Sequence, residues 1–237
     1  MTNTEQSIVM KNDFTFSHRQ EGFDNHISWS IRGYEHLLSD VISFSRYFIE
    51  NDTNVVDIGC STGRLLDQLI QYNKEIIPSA RYTGVEIASG FYNDLEKRLK
   101  KLSKEDLTIV HDDIRNYTFN NCSFVTSLFT LQFIPKKDRF NVIKNIYNGL
   151  NVGGGFVFSE KVDCKSSRIQ DMITFSYYDY KRQKFNYKDI MDKEKTLRHM
   201  LKPNEWHEIQ EMIKSSGFKL VEDFWRNHNF VAAIAIK

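Results

Sequence analysis

An α/β fold is what this sequence predicts: a doubly wound, Rossmann-like, seven-stranded, mostly parallel sheet closed by a C-terminal antiparallel hairpin. Three observations carry it. Short apolar runs alternate with helical stretches from Val55 to Ser159. The first run leads straight into Asp57-Ile58-Gly59-Cys60-Ser61-Thr62-Gly63, a loop with two glycines. The second, Tyr82-Thr83-Gly84-Val85, ends in the acidic Glu86, twenty-seven residues beyond Gly59.

The elements follow in order. Residues 1–20 read as a loose polar leader, and 21–237 as one domain. Phe23 to Gly33 and Tyr34–Glu50 carry helical spacing, with Leu37, Leu38, Val41, Ile42, Phe44, Phe48 and Ile49 as the apolar stripe. Val55–Ile58 is the first strand, and Arg64–Tyr72 the helix after the glycine loop. Arg81–Glu86 is the second strand; Phe91–Leu102 is a helix whose Lys97, Arg98, Lys100 and Lys101 read as a solvated face. Leu107–Val110 and Phe124–Phe129 are the third and fourth strands. Asp138–Leu150 is a helix that glycine at 153–155 is expected to stop with a left-handed turn, before a fifth strand at Phe156–Ser159. Charged and aromatic helices fill an insertion over 165–215. Phe218–Phe224 and Phe230–Ile236 flank Arg226-Asn227-His228-Asn229, a hairpin signal.

In such sheets ligands bind beyond the carboxyl ends of the strands. Gly59–Gly63, Glu86, Asp113 and Phe129-Thr130 all fall at carboxyl ends, so four strands converge on one crevice. Glycine lets the loop turn tightly and approach a ligand without a β-carbon. A terminal carboxylate accepts hydrogen bonds from ribose hydroxyls. The nucleotide class follows by exclusion. A dinucleotide fingerprint needs a middle glycine, which here is Ser61, and no Gly-Lys-Ser/Thr follows to cradle phosphate. S-adenosylmethionine (SAM) carries no phosphate and tolerates a hydroxyl in the turn, so it is the cofactor the loop favours.

Composition bounds the rest. The formal net charge of +1 supplies no global field for nucleic acid or anionic membrane, so direct nucleic-acid binding is not indicated. Cys60, Cys122 and Cys164 are widely spaced, which argues against a disulfide framework and a zinc site and fits a reducing, cytoplasmic setting. No apolar run has transmembrane length, and no metal is expected. An aromatic content of 14% suits a pocket for a planar ligand.

The chain resembles class I SAM-dependent methyltransferase folds, and within them the carboxy-S-adenosyl-L-methionine synthases of tRNA wobble-uridine modification. The matching phrases are Phe23-Asp24, Arg32-Gly33-Tyr34, the Asp57–Gly63 loop, Asp113-Ile114-Arg115 and Phe129-Thr130-Leu131-Gln132-Phe133. They continue as Ile146-Tyr147-x-Gly149-Leu150-Asn151-x-Gly153-Gly154, Ser159-Glu160-Lys161 and Asp179-x-Lys181-Arg182. The resemblance implies a homodimer that binds SAM or carboxy-SAM and transfers carboxylate from prephenate onto the sulfonium methyl. It implies that Tyr34 covers the ligand, that Gly59 and Cys60 belong to the cofactor-binding loop whose Ser61-Thr62-Gly63 turn holds the amino-acid moiety, and that Glu86, with Ile87 beside it, takes the ribose. Asp113 and Ile114 would clasp the adenine. Against that family Leu128 stands in place of an asparagine, and Glu194 in place of an arginine, that serve the bound ligand. A glutamate facing a carboxylate is repulsive; Lys193, Lys195 and Arg198 are the neighbours able to compensate.

Three readings therefore stand. The first is a SAM-dependent methyltransferase of an unidentified acceptor, which needs alignment and water exclusion more than diagnostic catalytic residues. Asn/Asp-Pro-Pro-Tyr and Pro-Cys motifs are absent, the prolines being Pro78, Pro135 and Pro203. Tyr177, Tyr178, Tyr180, Arg182 and Arg198 are candidate acceptor-facing residues, with His199 and His207 as weak candidate bases. The second is carboxy-SAM synthesis. The third is a SAM-binding module without turnover.

Overall fold

The computed structural model describes residues 16, 22–102 and 106–237. Apart from Phe16, the expected leader lies outside the described residues. Two helices come first, α1 (Phe23–Ser30) and α2 (Tyr34–Ser45), each entered through a left-handed glycine, Gly22 and Gly33. The Rossmann-like half follows as β1 (Asn54–Ile58), α3 (Arg64–Asn73), β2 (Arg81–Val85), α4 (Tyr92–Leu99) and β3 (Leu107–Val110). Then come β4 (Cys122–Leu128), α5 (Lys136–Gly149), β5 (Leu150–Asp163), α6 (Ser167–Lys181) and α7 (Tyr187–Met200). A two-residue β6 (Asn204–Glu205), α8 (Trp206–Ser215), β7 (Leu220–Asn227) and β8 (Phe230–Ile236) complete the chain.

The sheet runs β3-β2-β1-β4-β5-β8-β7. Its first five strands are parallel, and β8 is antiparallel to both β5 and β7. The order reverses at β1, between β2 and β4, which puts the topological switch point at the glycine loop. The expected seven strands are present, and β6 is added, pairing parallel with Val162-Asp163 at the far end of β5.

Both faces of the sheet are covered, so its central strands are apolar on both sides, as parallel strands must be. On one face Val55, Phe124 and Val157 pack with Leu37, Leu66, Leu69 and Leu95 of α2–α4. On the other, Val56, Val125 and Phe156 pack with Ile143 and Ile146 of α5 and Ile213 of α8. Burial of this kind contributes roughly 25 cal/mol per Å² of apolar surface.

Three expectations are corrected. The helix α5 stops at Gly149 through an extended Leu150, not a left-handed glycine; Gly153, at φ 82, instead bends the early part of a long β5. Gly149 is required by packing, because a β-carbon there would lie 2.5 Å from the Phe119 carbonyl oxygen. The helix after β2 begins with a 3-10 turn at Ser89–Phe91 and ends at Leu99. The final hairpin turns on His228-Asn229 alone, with His228 at φ 48 and a bulge between Asp223 and Trp225.

Candidate active site

The loop after β1 is locally forced. Gly59, Ser61 and Gly63 all adopt left-handed backbone, with φ 67, 47 and 74. A β-carbon on Gly59 would sit 2.3 Å from Thr130 Oγ1, so both the turn and the close approach of the segment after β4 demand glycine. Ser61 has no such exemption, and its strained backbone is held from outside: its N–H donates to Glu86 Oε2 at 2.8 Å. Glu86 Oε1 in turn accepts from Ala88 N–H at 2.7 Å. The carboxylate at the end of β2 thus fastens the glycine loop to the start of the next segment.

Two helical contacts fix the other side of the loop. Asp24 of α1 accepts from Thr62 Oγ1 at 2.6 Å and pairs with Arg98 of α4 at 2.6 Å. Arg98 therefore belongs to this tether rather than to a solvated basic face. Arg64, the first residue of α3, forks onto Glu35 at 3.0 and 2.5 Å, with Ser28 donating to the same carboxylate. Together these bonds lay α1 and α2 across the switch point as a cover.

Under that cover lies a cavity of about 330 Å³. Its wall takes Tyr34, Gly59, Cys60, Ser61, Thr62, Glu86 and Ile87 from the residues read in the sequence. Gly63 is the turn behind it, where a β-carbon would meet Leu95 at 2.6 Å. Tyr34 stands 6.2 Å from the Phe129 ring, and burial holds its hydroxyl protonated far above the usual range. Phe16 packs on Phe91 and Phe133, two further aromatic residues of the wall.

Other expected residues lie elsewhere. Asp113 and Ile114 are off this wall: Asp113 is gripped by Arg115 through Nε and Nη2, at 2.6 Å for the shortest bond, and borders a separate polar hollow. That grip holds its carboxyl below the usual range. Tyr180 packs near His228, Arg182 pairs with Asp179 on the surface, and Arg198 is exposed. None of the three lines the cavity, whereas Tyr177 does. His207 pairs with Glu205 away from the cavity, and His199 is exposed.

Charge inside the cavity is unevenly placed. Near the loop, Asp57 is buried and accepts from Thr126 Oγ1 at 2.7 Å; burial, with the charge of Glu86 adding to it, pushes its pKa up to about 7. Glu86 is raised too, by burial, against the pull of the backbone N–H groups of Ala88, Ser61 and Ile87. Across the same cavity the sign changes. Lys161 of β5 and Lys181 of α6 each stand 3.8 Å from Glu194 of α7, and Lys193 donates to His26 Nε2 at 2.6 Å. Burial, then the charges of Lys193 and Lys181, press His26 down to about 4, so its ring is neutral. Burial and Lys181 bring Lys193 down to about 8. Of the neighbours expected to offset Glu194, only Lys193 is on the wall; Lys195 is exposed and pairs with Asp192. Lys161 and Lys181 supply the rest, which the sequence reading left unassigned, as it did His26. One signal was available: Tyr177 and Lys181 are four apart on one helix and face the same way.

A pH dependence follows. Asp57 and the buried Glu160, which burial raises to about 8, bind protons more tightly folded than unfolded. The stability each lends at low pH is lost as pH rises through its folded value. His26 acts oppositely, but only below its ordinary 6.5. Between pH 6.5 and 8 the ligand-free protein is therefore expected to lose stability as pH rises. Urea midpoints across that window test this; a midpoint that climbs would refute it, and Asp57→Asn should flatten the fall.

Comparison with known proteins agrees with this architecture. Residues 55–154 match the methyltransferase domain family. A carboxy-S-adenosyl-L-methionine synthase of Staphylococcus epidermidis is 32% identical over 94% of this chain and 97% of its own. One from Shewanella baltica is 31% identical over 95% and 93%. An O-methyltransferase family protein of Burkholderia thailandensis superposes with a TM-score of 0.63 at 12% identity, over 94% of this chain and 61% of that one. Human N-acetylserotonin methyltransferase, solved with SAM, gives 0.55 at 13%, over 87% and 52%. Those two likenesses concern the fold. With the switch-point loop, the carboxylate after β2 and near full-length identity above 30% in hand, the chain belongs to the carboxy-S-adenosyl-L-methionine synthase family, on the class I methyltransferase fold.

Proposed function

We propose that this enzyme joins a carboxyl group to SAM, giving carboxy-SAM, with prephenate the donor that the family resemblance implies. The observation that carries the reading is the lysine set, Lys161, Lys181 and Lys193, in the same cavity as the glycine loop and Glu86. A plain methyl transfer has no need of three ammonium groups beside the cofactor; a carboxylate donor and a carboxylated product do. The chemistry SAM supplies is a sulfonium-activated methyl carbon.

The chain's own residues support the fit. Glu86 offers its remaining lone pairs to the ribose hydroxyls, and the Ser61–Gly63 turn faces the amino-acid moiety. Asp57 and Glu86 are buried carboxylates that a cationic ligand relieves. Tyr34 covers the ligand. Adenine is assigned to the apolar wall of Ile87, Phe91 and Phe133, which lines the cavity, whereas Asp113 borders a separate hollow. Glu194 does not leave the anion site simply repulsive: Lys161 and Lys181 each stand 3.8 Å from its carboxylate.

Three free cysteines among the described residues support a reducing, cytoplasmic setting, and the exposed stripe Ile169, Met172 and Phe175 on α6 supports a homodimer. Among the described residues no helix is long and apolar enough to cross a membrane. The family resemblance supports a role in tRNA modification, with carboxy-SAM as the form passed on.

Mass spectrometry of nucleosides released after incubation with SAM, with and without prephenate, tests the reading. A prephenate-dependent gain of a carboxyl group is the expected result. Unmodified SAM in both samples would defeat it and return the search to methyl acceptors.

A further inference from the structure

Arg139 of α5 is 3% exposed and lies behind the cavity wall without lining it. Burying a charge is costly unless it is hydrogen-bonded. Here Nε donates to the Ile134 carbonyl at 2.9 Å, and Nη2 to the carbonyls of Gln132 and Lys202 at 3.0 and 2.7 Å. Nη1 donates to Asn204 Oδ1. These partners are three backbone carbonyls and an amide oxygen, with no carboxylate among them. A planar guanidinium, with its donors in a fixed fork, spans acceptors on two segments at once; an ammonium group does not hold that geometry.

The segments it joins are sides of the cavity. Gln132 belongs to the 3-10 turn Leu131–Phe133 after β4, where Thr130, Gln132 and Phe133 line the wall. Lys202 follows α7, whose Leu197 and Met200 line it as well. Lys202 N–H also donates to the Gln132 carbonyl, at 3.2 Å. The Gln132 side chain gathers in a third side, its Oε1 accepting from Lys161 N–H of β5 at 2.7 Å. The turn after β4 has anchors of its own: Phe129 N–H donates to the Ser159 carbonyl at 2.7 Å, and Thr130 Oγ1 to that of Ile58 at 3.1 Å. The end of α7 is therefore the part that depends most on the fork. Glu194 stands less than two helical turns before that end, so its place beside Lys161 and Lys181 depends on the fork too.

We propose that Arg139 is a positioning residue of this cavity: it clamps the end of α7 to the turn after β4 and so fixes α7 over the reaction site without touching ligand. The proposal rests on the reading above only in taking the cavity as the site of reaction.

Arg139→Lys keeps the charge and loses the fork. Lysine acylation footprinting of the full-length protein, read by mass spectrometry, reports the wall directly. Lys181, 3% exposed and next to Glu194, should be acylated at least about fivefold faster in the variant, as a locally opened wall requires. Lys144, on α5 itself and bonded to the Ser216 carbonyl, should keep its parent rate. Turnover should fall about tenfold or more while the Kd for SAM moves less than about threefold, because misplacement costs rate more than binding. Asn204→Ala removes one acceptor, leaves the three carbonyls, and should show the same changes at smaller size; it carries the test if Arg139→Lys does not fold. Parent-like protection of Lys181, equal exposure of Lys144, or parent-like turnover with Lys181 exposed would overturn the proposal. A parent that forms no carboxy-SAM would refute the carboxyl-transfer reading instead, and the footprint would still decide whether Arg139 places α7.

Discussion

Replacing Glu86 by alanine is expected to weaken SAM binding about a hundredfold or more. The carboxylate is 5% exposed, so the bonds proposed for it to ribose hydroxyls would form in a site nearly free of competing water. Loss of a buried, hydrogen-bonded charge costs roughly 2–5 kcal/mol, and 1.4 kcal/mol is tenfold in affinity. The side chain does more than touch ligand. It holds Ser61 in its left-handed conformation and anchors Ala88, so the loop loses its shape along with its partner. Glutamine is no gentle substitute: both carboxylate oxygens accept from backbone N–H groups, and an amide would set an NH₂ against one of them. Glu86→Gln should therefore bind SAM nearly as poorly as Glu86→Ala. Isothermal titration with SAM reads both variants. Parent-like affinity in either would remove Glu86 from the ribose site.

The part of this site legible in sequence is the part built from contiguous residues. Gly59, Ser61, Gly63 and Glu86 sit in a strand-loop-helix-strand unit whose geometry is nearly fixed by connectivity, so their placement at the switch point could be read directly. The same holds for the strands themselves, marked by apolar runs and their spacing. What was not legible depends on distant segments. Lys161 and Lys181 lie on β5 and α6, and only the packing of α6 and α7 over the sheet brings them to Glu194. Read alone, Glu194 is a repulsive departure; in the fold, Lys161 and Lys181 each stand 3.8 Å from it. Asp113 shows the converse. Its position at a strand end was read correctly, but Arg115, two residues on, claims the carboxylate first, and sequence order does not say which of two partners wins.

Lys181 makes the strongest test of how charge is shared in this cavity. It is 3% exposed, and Glu194 is its carboxylate neighbour. Burial already draws its pKa down, the pull of Glu194 working against that loss, so the ammonium form is sustained by its surroundings. Lys181→Met keeps most of the unbranched side chain and removes the charge, leaving Glu194 less compensated in a partly dry wall. Breaking a buried pair from one side costs about 3–5 kcal/mol; with Lys161 still at hand, a loss nearer 1–3 kcal/mol is expected in urea denaturation. Carboxyl transfer should fall at least a hundredfold, because the donor's acid loses a fixed positive partner. Lys181→Met with Glu194→Met separates the two effects. Removing both charges should return most of the stability, since replacing a whole pair is far cheaper than halving it. It should not return activity, since the anion site is still missing an ammonium group. A double variant that regains turnover would mean Lys181 serves only to balance Glu194, and that the anion is held by Lys161 and Lys193 alone.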